Sequence, residues 1–297
     1  MLKRCSLNSI VFLSVLLAFS GCKQNPPAEN NITIQADDAT ETINNAKKIF
    51  YSLPSPIETA MIIKTAGATY NEQLLNPLEN VSNYTTNRSM ALNLGIYTCD
   101  LSFASLFEQT QTTINYMSNA KKLAEGLGIL DAIDNNTIKK LEENINNKEV
   151  IMDIISETFM ASSSFLKEND RAAVASVVLV GGWMEGLYIA TQLIKPETMH
   201  GNPLIKRVVD QKLSLDIVIK LLNEYKDDKD VAAVLEDMNE LKLIFDKVEI
   251  TTSAIEAKED KSSNITTLES DTQIKITPEV FKELSGRVKE LRSEYIK

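Results

Sequence analysis

Apolar residues recur at three- and four-residue steps along most of this chain, the spacing of a buried helical face. Read this way, Asp38–Tyr51 is a first helix, stopped by Pro54 and Pro56, and Pro56–Ala66 is a second, ended by Gly67. Glu72–Asn76 is a short helical segment leading to Pro77. A long helix spans Asn83–Glu108, with Leu92, Ile96, Phe103 and Leu106 at near-helical spacing, and another spans Thr110–Leu127, closed by Gly126 and Gly128. Asn136 is placed to cap Thr137–Asn146. Lys148–Glu168 carries Ile151, Ile155, Phe159 and Phe165, and Asp170 is placed to cap Arg171–Ile194, which Pro196 terminates.

Three later stripes have near-heptad spacing. Val208, Leu215, Val218, Leu222 and Tyr225 form one. Val234, Met238, Leu241, Phe245, Val248, Thr252 and Ile255 form the second. Phe281, Leu284, Val288, Leu291 and Tyr295 form the third, opened by Thr277 as cap and Pro278 at the first helical position. Such stripes pack helices side by side at shallow angles. Lys258–Asp271 is polar and non-periodic, and Thr272–Ile276 alternates like a lone strand, so residues 258–276 read as a polar linker before the last helix. The pattern predicts an all-α multi-helix bundle of about eight to ten helices, a single domain over residues 38–297.

The first residues follow a different logic. Lys3 and Arg4 precede an apolar run from Ile10 to Phe19, broken only by Ser14, and then come Ser20, Gly21 and Cys22. A basic start, a short apolar core and small residues are the parts of a secretory signal. The run is too short for the ~20 residues of a spanning helix. Residues 1–21 are therefore expected to be removed. Residues 22–37 are polar, proline-containing and non-periodic, and read as a flexible tether whose extended reach from Lys23 to Asp37 is at most ~50 Å.

Phe19-Ser20-Gly21-Cys22 resembles the lipobox of bacterial lipoproteins, with Phe19 where Leu is usual. The resemblance implies lipid transfer to the Cys22 thiol, cleavage after Gly21 and acylation of the new amine. Anchoring by acyl chains is physically adequate, because each buried methylene contributes ~0.8 kcal/mol. By likeness to other lipoproteins, Lys23 after the lipidated cysteine points to the outer membrane. The lack of a dense acidic run after Cys22 favours its periplasmic face over the cell surface.

Composition supports helices. Glycine (10) and proline (8) are scarce in 297 residues. The net charge is −10, and loss of Lys3 and Arg4 with the signal leaves the mature chain at −12. Such a chain is repelled by phosphate backbones, which argues against nucleic acid. Cys5 leaves with the signal and Cys22 is consumed by lipid, so Cys99 has no partner for an intramolecular disulfide. His200 is the only histidine, which excludes a histidine-rich metal site, and no cofactor motif occurs.

Candidate chemistry lies on two helices. Ala172–Ile194 is the most apolar stretch of the mature chain and could span a bilayer by length. Its single charge, Glu185, and its diluting Ser, Thr and Gly residues favour the centre of a bundle instead. Gly181, Gly182 and Gly186 weaken it as a helix, which close approach of a neighbouring helix would explain. Glu185 needs a partner if buried, with Trp183 and Tyr188 nearby. On the earlier long helix, Asn93, Tyr97 and Asp100 share one face, with Arg88 one to two turns upstream. Glu157 is a further carboxylate, for which Arg171 or a lysine would serve as partner. Together Arg88, Asn93, Tyr97, Asp100, Glu157, Trp183, Glu185 and Tyr188 would line a ligand pocket or form a buried polar network.

The strings ALNLGIYTCDLSFASLF and VGGWMEGLYIAT resemble segments of helical lipoproteins from Bacteroidota-type bacteria, a likeness that implies no activity. The expectation is a membrane-anchored, non-catalytic binding module of the cell envelope. Its partners would be the bilayer, through acylated Cys22, and an envelope protein or a small ligand, met along the Val234 or Phe281 stripe. The alternatives are a carboxylate-based hydrolase or lyase with an interhelical pocket, using Asp100, Glu157 or Glu185, and a structural envelope spacer.

Overall fold

The computed structural model describes residues 56–129, 139–140, 143–144, 147–195, 199, 201–252, 256–260, 265–269 and 272–297, all within one compact unit, Glu41–Lys297. The signal, Cys22, the tether, the Asp38–Tyr51 helix, Asn136 with most of Thr137–Asn146, Pro196 and His200 lie outside them. The protein is an all-α bundle. Among the described residues its helices are α1 (Pro56–Thr65), α2 (Asn87–Leu106), α3 (Thr110–Gly126), α4 (Lys148–Glu168), α5 (Ala172–Gln192), α6 (Pro203–Asn223), α7 (Lys229–Phe245) and α8 (Pro278–Tyr295). Two 3-10 turns, Glu72–Leu74 and Leu78–Asn83, lead into α2.

Local chemistry sets the helix ends. α2 begins at Asn87, later than the apolar pattern suggests. Thr86 and Ser89 form a reciprocal capping box there, each side chain accepting from the other's backbone N–H at 3.1 Å. Asn147, Asn202, Asp228 and Thr277 cap α4, α6, α7 and α8. Asp170 is not the cap of α5. It takes a left-handed backbone (φ 57°) that turns the chain between α4 and α5, and Arg171 holds the capping position without a side-chain bond.

The Val234 stripe is also shorter as a helix than its periodicity suggests. α7 stops at Phe245, Thr252 lies in a strand, and Ile255 is outside the described residues. The cause is the β-branched run Ile250-Thr251-Thr252, which fits a pleated strand better than a helix. The expected linker likewise contains paired strands. β1 (Glu249–Thr252) is antiparallel to β4 (Thr272–Lys275), and β2 (Glu256–Asp260) is antiparallel to β3 (Ile265–Glu269). Thr272–Ile276 is thus not a lone strand, because the partner of β4 lies beyond the end of α7.

The core is organised by α5, whose residues Ala175–Thr191 are buried. The segment is long and apolar enough to cross a membrane, yet it sits inside the bundle, against α2, α4, α6 and α8. Its closest neighbour is α2. A Cβ at Gly95 would overlap the Val178 carbonyl oxygen and crowd the Gly182 nitrogen, and a Cβ at Gly181 would overlap the Leu92 carbonyl. The two backbones therefore touch at Gly95 and Gly181, the close approach that the weak helix propensity of Gly181 suggested. Gly186 faces the Thr59 side chain of α1.

This crossing predicts opposite effects of one substitution. Gly95→Ala and Gly181→Ala each gain about 1 kcal/mol of helix propensity but force the helices apart, for a net loss of about 2–3 kcal/mol. Gly286→Ala in α8, where nothing lies within 4 Å of the added methyl, is expected to stabilise by up to about 1 kcal/mol. Urea unfolding midpoints of the three variants check both signs.

Candidate functional site

The packing of α2 on α5 brings Asp100 and Glu185 together in the core, each with 0 % of its surface exposed. α8 supplies the cation that pairs with Glu185. Arg292 donates from Nε to Glu185 Oε2 and from Nη2 to Oε1, both at 2.9 Å. It also donates from Nη2 to the Leu74 carbonyl at 3.0 Å and lies over the Tyr188 ring, 4.6 Å from its centre. The two-point pairing and the ring face together suit a guanidinium better than an ammonium.

Asp100 Oδ2 accepts from the backbone N–H of Asn76 at 3.0 Å, whereas Oδ1 has no donor. Two carboxylates face one guanidinium in a dry setting. Burial first, and then the charge of Glu185, push the Asp100 carboxyl well above the usual carboxylate range; Arg292 and the Asn76 N–H pull the other way without cancelling this. Asp100 is therefore held towards its protonated form. Burial opposes the charge of Arg292, but Glu185 outweighs it and raises the guanidinium further.

A hydrogen-bonded shell surrounds this centre. Asn76, itself buried, donates from Nδ2 to Asn93 Oδ1 and to the Tyr84 hydroxyl, both at 3.0 Å. Asn93 donates to the carbonyls of Ser89 (2.9 Å) and Tyr295 (2.8 Å). The Tyr116, Tyr97 and Asn119 side chains donate to the carbonyls of Asn76 (2.7 Å), Pro77 (2.9 Å) and Leu78 (2.7 Å). Residues 74–78 pass between helices without being helical throughout, so their backbone polar groups must be met by other means. Side chains of α2, α3 and α8 meet them. Burial raises the Tyr97 and Tyr116 phenols, keeping them neutral donors.

Of the sequence-derived candidates, the structure joins Asn93, Tyr97, Asp100, Glu185 and Tyr188 in this one network. Three others lie elsewhere. Trp183 is buried but donates to Gln211 Oε1 of α6 at 2.9 Å, because residues 183 and 185 are about 200° apart around a helix. Glu157 is exposed on α4. Arg88 is exposed and lines an open cleft of about 380 Å³ with Thr86, Asn87, Lys229 and Asp230, at the N-terminal ends of α2 and α7. Sequence reasoning missed Asn76, Tyr84, Tyr116 and Arg292. For Arg292 a signal existed: it lies four residues after Val288, inside the apolar stripe of α8, and a cation there requires a buried acid.

As chemistry, the arrangement is closed. Asp100 and Glu185 have no exposed surface on which a substrate could sit. The Cys99 thiol is fully buried, and burial pushes it well above its usual range. Among the described residues no group of His, Cys, Asp and Glu could hold a metal ion.

Two variants test this assignment. Arg292→Ala leaves Glu185 buried without its cation and is expected to lose about 3–5 kcal/mol. Asp100→Asn keeps the Oδ acceptor for Asn76 and replaces the proton by an amide donor, so it should fold. A carboxyl raised in the folded state stabilises fully below its unfolded value of about 3.9, and that contribution is lost as pH climbs towards the folded value. The stability of wild type relative to Asp100→Asn should therefore fall as pH rises above about 4 in urea titrations. A constant difference would mean that Asp100 is already ionised.

No family model matches the chain, and the searches of curated proteins and of solved structures gave no match either.

Proposed function

We propose that this chain is a lipid-anchored module of the bacterial cell envelope that works by binding, with its charged interior serving the fold. The observation that carries the binding half is the burial of Asp100, Glu185 and Arg292 at 0–5 % exposure, with Glu185 paired to Arg292. A hydrolase or lyase needs its carboxylates around a space that substrate can enter, and these two are fully buried, with Glu185 paired to Arg292. The anchoring half rests on the basic start, the apolar run and Phe19-Ser20-Gly21-Cys22.

The mode of partner binding differs from the sequence expectation. Val234, Met238, Leu241 and Phe245 of α7 and Phe281, Leu284, Val288 and Leu291 of α8 are all at most 1 % exposed. Neither stripe is an open groove. A partner meets the outer faces of the helices, which carry the acidic excess of the chain.

Metabolic labelling with an alkyne fatty acid, followed by fractionation, tests the anchor. Wild type is expected to be labelled and membrane-bound, and Cys22→Ser to be unlabelled and released. Unlabelled wild type in the medium would refute anchoring. Chemical crosslinking in intact cells tests binding: a discrete heavier complex is expected, and it should persist in Asp100→Asn. Loss of the complex in that folded variant would show that the buried carboxyl acts on a ligand.

A further inference from the structure

We draw no further inference here: the strongest candidate, the open cleft at the N-terminal ends of α2 and α7 lined by the exposed Arg88 and Lys229, rests on helix N-termini and on side chains of both charges, since Asp230 lines it too, and none of the unpartnered buried polar atoms, those of Tyr70, Asp100 and Thr158, belongs to it as a second observation pointing to a ligand.

Discussion

The bundle depends on a guanidinium and a carboxylate that cannot be buried apart. Arg292 and Glu185 come from helices far apart in sequence, and either alone in this core would be an unpaired buried charge. Their two hydrogen bonds, the Leu74 carbonyl and the Tyr188 face account for the surroundings of the arginine. Asp100 is then the surplus acid, and a proton resolves it. Two acids, one base and one proton make a neutral cluster, which is the form a dry interior tolerates.

This neutral cluster is reached through backbone geometry. Gly95 and Gly181 let α2 and α5 touch main chain to main chain, which buries Asp100 and Glu185 in the same core. The segment 74–78 then closes over them, with its carbonyls received by Arg292, Tyr116, Tyr97 and Asn119. Packing, charge and backbone hydrogen bonding converge on one place, so the polar centre specifies how the helices meet. The same economy leaves Asp100 and Glu185 with no surface facing solvent.

Much of the helical order was legible because periodicity and caps agree: Lys148–Glu168, Pro278 after Thr277, and the central position of α5 follow from spacing and turn chemistry alone. Asn93, Tyr97 and Asp100 were legible as one helix face, and Glu185 as a buried carboxylate in need of a partner. The partner was not, because Arg292 sits inside the apolar periodicity of α8, and because no local rule links residues 107 positions apart. Asn76 and Tyr84 were hidden for another reason: they act on an irregular segment whose path only the packed helices define. β1 was missed where a heptad-like step through Val248, Thr252 and Ile255 coincided with β-branched residues that prefer a strand.

The central claim is that Asp100 is a neutral acid inside the folded protein. Infrared difference spectroscopy of wild type against Asp100→Asn at neutral pH measures this directly. The account predicts a carboxylic-acid carbonyl band in wild type that resists exchange of the buffer pH and is missing from the variant. A difference spectrum containing only ionised carboxylate bands would contradict it.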